Sequence, residues 1–233
     1  LCLFPFEEPI FREAGLKTTF VGHPIIDELE HERIAGCVRD ETLVGLFPGS
    51  REREVDRLFP MMIETAKQLR EWRSALAFEV PAASPKLAGQ IRGMLSAAGA
   101  NDLIKVRIGG SHALMQQAGC AVIASGTATL EAAYYGLPYC LVYRVAPFTY
   151  LCAKMLVKIK LIGIVNILAG EEVAREFVQD AAEPVSVGVE LRRLIGSSET
   201  RCEMQCKLAK TVALLGGQGA HEKAASAVAL WLV

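Results

Sequence analysis

Ala124-Ser125-Gly126-Thr127-Ala128-Thr129-Leu130-Glu131 is the stretch from which the organisation of this chain can be read. It follows the apolar run Cys120–Ala124 and opens a helical pattern that continues to Tyr135. A buried strand therefore feeds a loop of small residues, and the loop starts a helix. Such a junction gathers unpaired backbone N–H groups and the positive end of a helix dipole at one point, an arrangement suited to a phosphate. Gly126 permits close approach of the backbone, and the hydroxyls of Ser125 and Thr127 add donors. Ala128 closes the loop, and Glu131 lies about one turn further along, where a carboxylate could accept hydrogen bonds from a ribose diol. Taken alone, the stretch also fits an ordinary strand–loop–helix turn with Glu131 on a solvated face, because short motifs recur without function.

A second junction repeats the design. Thr42–Phe47 reads as a buried strand, and Pro48-Gly49-Ser50-Arg51-Glu52-Arg53-Glu54-Val55 follows it. Gly49 and Ser50 are turn residues that leave backbone donors free, and Arg51 carries a planar fork suited to bidentate phosphate contact. Arg53, Glu54, Asp56 and Arg57 could simply be solvated charges near the helix start, a reading that fits Arg53 and Arg57 best. The following helix repeats apolar residues at Val55, Leu58, Phe59, Met62, Ile63, Ala66 and Leu69, one face of a 3.6-residue period. Two phosphate-friendly loops at strand ends point to a diphosphate-bearing ligand in the crevice of one α/β domain.

The wider pattern is alternating. Strands are expected at Ala75–Pro81, Leu103–Ile108 and Tyr139–Tyr143 beside those near Leu43 and Cys120. Helices are expected at about Glu52–Trp72, Pro85–Ala98, Ser111–Gln117 and Thr127–Tyr135. This alternation predicts a Rossmann-like, parallel, doubly wound sheet. Beyond Pro184 the pattern turns wholly helical, over Pro184–Ile195, Glu199–Leu215 and Ala220–Leu232, with a Gly216-Gly217-Gln218-Gly219 break before the last helix. At 233 residues such a chain buries roughly 70–75% of its unfolded surface, enough for one solid core. A net charge of −1 lacks the basic footprint of a nucleic-acid binder. The seven cysteines form no C-x-x-C pair and have no histidine at ligand spacing, which argues against a disulfide framework or a zinc site. No metal and no cofactor is expected.

Between Tyr139 and Leu168 an apolar stretch is interrupted by Arg144, Lys154, Lys158 and Lys160, too many charges for a membrane span. Phe148, Tyr150, Leu151, Met155 and Leu156 beside those lysines form either a basic, membrane-facing surface or a core helix with snorkelling lysines. Asn166, inside the apolar segment Gly163–Gly170, costs free energy unless hydrogen-bonded; capping a helix from about Gly170 is one reading of it. His23 before Pro24 sits where the chain is expected to be extended. His31 reads as part of a solvated helix face, and His112 and His221 have no sequence neighbour that would make them ligands.

In this order, F-P-F-E (Phe4–Glu7), V-G-H-P-I-I-D (Val21–Asp27), F-P-G-S-R-x-x-E-V (Phe47–Val55), A-S-G-T-A-T-L-E (Ala124–Glu131), Y-R-V-A-P-F-T-Y (Tyr143–Tyr150) and V-N-I-L-A-G-x-E (Val165–Glu172) resemble the lipid A disaccharide synthases. These are GT-B glycosyltransferases, with two Rossmann-like halves facing each other across a cleft. The resemblance runs from about Leu3 to near the end and covers the C-terminal, nucleotide-binding half. It implies inverting transfer of an acylated glucosamine from UDP to an acylated glucosamine 1-phosphate, forming a β-1,6 disaccharide. It also places Asn166 in the active-site cleft, beside Gly49, Ser50, Arg51, Ser125, Gly126, Thr127, Ala128 and Glu131. Residues 1–27 are then the end of the N-terminal half and the connection, 28–215 the UDP-sugar-binding domain, and 216–233 a crossing helix or one exchanged in a homodimer. Leu1-Cys-Leu-Phe4 reads as a strand already running, so the chain is expected to be part of a longer protein. The N-terminal half of the family supplies acceptor binding and the base, and no catalytic residue is assigned here. The implied location is cytoplasmic, with peripheral contact to the inner membrane. Two other readings remain: another GT-B UDP-sugar enzyme, MurG-like or UDP-GlcNAc 2-epimerase-like, and a non-catalytic nucleotide-sugar-binding module.

Overall fold

The computed structural model describes residues 1–145 and 161–231. The expected amphipathic surface of Phe148 to Lys160 lies outside the described residues.

Strands β1 (Asp40–Phe47), β2 (Ala77–Ala82), β3 (Ile104–Ile108), β4 (Ala118–Ala124), β5 (Tyr139–Tyr143) and β6 (Glu176–Val178) form one sheet. Their order is β3-β2-β1-β4-β5-β6, with every neighbouring pair parallel. This is the doubly wound order in which the winding reverses between the first and fourth strands. Helices cover the sheet, which is why β4, Ala-Gly-Cys-Ala-Val-Ile-Ala, is buried at all its positions and shows no alternation. Gly119 is required by this packing: a Cβ there would lie 2.8 Å from the Cα of Glu41 on β1.

Among the described residues the α-helices are α1 (Glu7–Glu13), α2 (Ile25–His31), α3 (Glu52–Trp72), α4 (Pro85–Ala97), α5 (Ser111–Gln117), α6 (Ala128–Tyr134), α7 (Ile164–Ala169), α8 (Pro184–Gly196), α9 (Ser198–Ala213) and α10 (Ala220–Trp231). The seven apolar residues expected on one face of α3 are all buried. Ser84 caps α4 by accepting from the Leu87 N–H at 3.2 Å, with Pro85 in the first turn. Below the sheet, α9 ties the N-terminal ends of the strands. The Met204 Sδ accepts from the Tyr139 N–H at 3.4 Å, and Arg201 pairs with Glu41 at 2.6 Å.

Several elements depart from the sequence reading. β6 is three residues long, too short to display a period of two. Gly170 ends a helix instead of preceding one: its φ of 70° is the left-handed conformation of a C-terminal cap, so Asn166 lies inside α7 and caps nothing downstream. The glycine break at 216–219 is tied to the connection. The Leu215 carbonyl accepts from the His23 N–H at 2.9 Å, and the Asp27 carboxylate accepts from the N–H groups of Gly219 and Ala220 at 2.9 and 3.3 Å. Among the described residues no helix is long and apolar enough to cross a membrane.

Candidate functional site

The C-terminal ends of β1, β2 and β4 open into a cavity of about 560 Å³ at the point where the strand order reverses. In open α/β sheets ligands settle at this point, because the loops leaving neighbouring strands diverge to opposite faces and leave a crevice. Its walls include Phe47 at the end of β1, Pro81 and Ala82 on β2, Ala124 at the end of β4, and Met115 from α5. Two other hollows, about 490 and 330 Å³, lie between Asp27 and His221 and between Arg33 and Tyr135.

Gly49, Ser50, Arg51, Ser125, Gly126, Thr127, Ala128 and Glu131 all line this cavity. Arg51 is the N-cap of α3: its backbone is extended, and its carbonyl accepts from the N–H groups of Glu54 and Val55. Its side chain is 81% exposed, and its guanidinium meets the Glu54 carboxylate at 2.7 Å. An exposed pair of this kind adds little stability, so an incoming phosphate can take the fork from Glu54 at small cost. Glu54 is thus not simply a solvated charge, since it holds Arg51 in place beside the cavity.

Gly49 fixes this arrangement. Its φ is +110°, a region L side chains rarely adopt, and a Cβ there would fall 2.3 Å from the Glu54 Oε2. Gly49→Ala is therefore expected to push Glu54 aside and release Arg51. Titration with UDP should show affinity lowered by about tenfold, the equivalent of roughly 1.4 kcal/mol. Unchanged affinity would mean that the loop relaxes without moving Arg51.

On the opposite lip, the Ser125 N–H is spent on the Val142 carbonyl at 2.9 Å. The N–H groups of Gly126, Thr127 and Ala128 have no partner among the described residues. Thr129 is buried and donates its hydroxyl to the Gly126 carbonyl at 2.7 Å, which braces the loop from beneath. Glu131 follows on α6 with its side chain 19% exposed, and its Oε2 lies 3.2 Å from the His112 Nε2. His112 is a polar lining residue to which sequence reasoning gave no role. Its partners come from Glu32 and Glu131, one of them 80 positions away in the chain, and no local pattern announces such contacts.

Asn166 is placed elsewhere. It is 1% exposed, and its amide is fully used. Its Nδ2 donates to the Ala174 carbonyl at 2.6 Å and the Glu176 Oε1 at 2.8 Å, while its Oδ1 accepts from the N–H groups of Val173 and Ala174, both at 2.9 Å. It is not among the described residues that line the cavity. Among the described residues no cluster of three or more histidines, cysteines or carboxylates is arranged to hold a metal ion.

Strand order, switch-point cavity and flanking helices define a Rossmann-like α/β domain of the kind found in GT-B glycosyltransferases and UDP-sugar epimerases. The fold is shared with the S. aureus MnaA-UDP co-structure at a TM-score of 0.64 and 13% identity, covering 100% of this chain and 59% of that one. It is shared also with a putative UDP-N-acetylglucosamine 2-epimerase from Listeria monocytogenes (TM-score 0.63, 14% identity, 88% of this chain and 53% of that one). At such identities the likeness concerns the fold alone.

The sequence comparison goes further. Residues 1–230 match the family model described as lipid-A-disaccharide synthetase. The lipid-A-disaccharide synthase of Syntrophus aciditrophicus is 37% identical over 230 residues, which cover 96% of this chain and 60% of that protein. That of Trichlorobacter lovleyi is 37% identical over 233 residues, covering 97% and 60%. The chain belongs to the lipid-A-disaccharide synthase family, and it spans about 60% of the length of these relatives.

Proposed function

We propose that this chain is the donor-binding part of an inverting glycosyltransferase that moves an acylated glucosamine from UDP onto an acylated glucosamine 1-phosphate. The products are the lipid A disaccharide and UDP. One observation carries the reading: two loops with free donors, from α3 and α6, and the Glu131 carboxylate line one cavity at the switch point. In this reading the diphosphate lies between Arg51 and the N–H groups of Gly126, Thr127 and Ala128. Glu131 takes the ribose.

The mechanism is electrostatic. As the sugar–phosphate bond breaks, charge accumulates on the leaving UDP. Once the fork has turned from Glu54 to the phosphates, the guanidinium and the oriented N–H groups stabilise that charge as the bond breaks. Acceptor binding and the base are assigned to the part of the longer relatives that this chain does not span. We take residues 28–215 as the donor domain, 1–27 as its connection, and 216–233 as a segment that crosses to the other half or is exchanged in a homodimer. Exposure of Val228 and Leu230 on α10 supports that last role. Peripheral contact with a membrane is supported by the acylated substrates and by the lysines of 154–160 set among apolar residues.

Calorimetric titration of the 233-residue chain with UDP tests the reading. The expected result is one site, weakened by about tenfold or more in Glu131→Ala, a loss in the range of a hydrogen bond to a charged group. A folded chain that ignores UDP would overturn it.

A further inference from the structure

We propose that His112 is a positioning residue for the nucleotide: it clamps the Glu131 carboxylate toward the ribose and anchors that clamp to Glu32 at the end of α2. The inference rests on the ribose role given to Glu131 above and extends it to a residue outside the two loops.

His112 stands in the first turn of α5, at the cavity wall, between two carboxylates. Its Nδ1 is 2.8 Å from the Glu32 Oε2, and its Nε2 is 3.2 Å from the Glu131 Oε2. A neutral imidazole has one N–H and satisfies one carboxylate; the imidazolium has two and satisfies both. In either state the ring occupies the Oε2 side of Glu131. Its Oε1 has no hydrogen-bond partner among the described residues and is left for a ligand. A carboxylate without this tether would sample several rotamers, and ordering it on binding would cost side-chain entropy.

The clamp is itself held by two residues, Tyr135 and Gln116. The His112 ring lies 5.8 Å from the ring of Tyr135, tilted at 49°. Tyr135 is buried and donates its hydroxyl to the Leu29 carbonyl at 3.0 Å. Gln116, one turn along α5, donates to the carbonyls of His112 and Glu32 and accepts from the Ile34 N–H at 2.7 Å. The backbone of Glu32 is thereby pinned to the helix that carries His112, although the Glu32 side chain is 61% exposed. The arrangement also joins α2, which continues from the connection, to the nucleotide cavity through hydrogen bonds instead of loose contact.

The test compares UDP with 2′,3′-dideoxyuridine diphosphate, which lacks the diol, by calorimetry on the 233-residue chain. The parent should prefer UDP by at least about tenfold, and Glu131→Ala should bring the preference close to one. His112→Phe keeps a ring against Tyr135 and removes both donors. It should lower the preference by about fivefold or more with little change in melting temperature, whereas His112→Gln, which retains one donor, should restore much of it. Glu32→Gln alters an exposed side chain and should reduce the preference about two- to threefold, so the inference stays testable should the Phe variant not fold. A merely structural histidine would lower stability or weaken both ligands together and leave their ratio alone. If Glu131→Ala abolishes the preference while the His112 and Glu32 variants keep it, the clamp is wrong and the ribose assignment stands. If the parent itself makes no distinction, the ribose assignment fails and the clamp fails with it.

Discussion

Arg51→Ala is expected to lower turnover of a full-length protein carrying this domain by more than about 10²-fold, comparable to removing one preorganised donor from a site of developing charge. The physical reason is the position of the fork. Arg51 caps α3, at the lip of the cavity, and among the described residues its guanidinium pairs with Glu54 alone. In the proposed function its energy is realised on the departing diphosphate. In the resting protein the exposed pair with Glu54 contributes little, so the melting temperature should stay nearly unchanged. UDP affinity of the 233-residue chain should fall as well, because the product keeps the charge that Arg51 meets. Arg51→Lys keeps the charge without the planar fork and should recover only part of the loss. Steady-state rates beside a melting curve check this pair of claims, and turnover within threefold of the parent would remove Arg51 from the role.

Asn166→Ala is expected to do the opposite, damaging the fold more than the nucleotide site. The substitution deletes two donated and two accepted hydrogen bonds within the buried turn that joins α7 to β6. It strands the Ala174 N–H and carbonyl away from water and leaves the Val173 N–H with only the Glu171 carbonyl, at 3.1 Å. Buried groups left unpaired cost about 1–3 kcal/mol each, so a total of about 3–5 kcal/mol is reasonable for the network. For a domain of this size that lowers the melting temperature by roughly 6–20 °C. Asn166→Asp keeps the acceptor but turns a second oxygen toward the Ala174 carbonyl and the Glu176 carboxylate, and should be at least as harmful. Thermal melts with and without UDP separate the alternatives. A variant that melts within about 2 °C of the parent yet loses UDP would return Asn166 to the cleft that its family resemblance implies.

These two residues show where a sequence can be read and where it cannot. Arg51 and the Ser125–Ala128 loop announce themselves because their chemistry is local. A strand end, a turn glycine and a helix start lie within a few positions, and short-range backbone geometry dictates where the free N–H groups go. The apolar face of α3 and the uninterrupted run of β4 are legible for the same reason: periodicity is a local record of which side is buried. Asn166 is legible only as a problem. A polar side chain in an apolar run must find partners, but the sequence does not say whether they are a ligand or the backbone of Val173 and Ala174.

The sequence alone was enough for the alternation of strands and helices, the two donor-rich loops, the family and the absence of a basic nucleic-acid footprint. The family follows from the resemblance of six motifs in order along the chain, and the others from composition or from spacing over one or two turns. Only the tertiary structure decided the strand order that puts β1 beside β4, and so brings loops some 75 positions apart onto one cavity. It alone decided that Glu54 restrains Arg51, that Asn166 is consumed by a buried turn, and that His112 stands between Glu32 and Glu131. Contacts of this kind depend on which distant segments the packed sheet and helices bring together, and that is settled by burial of the whole core rather than by any short stretch of chain.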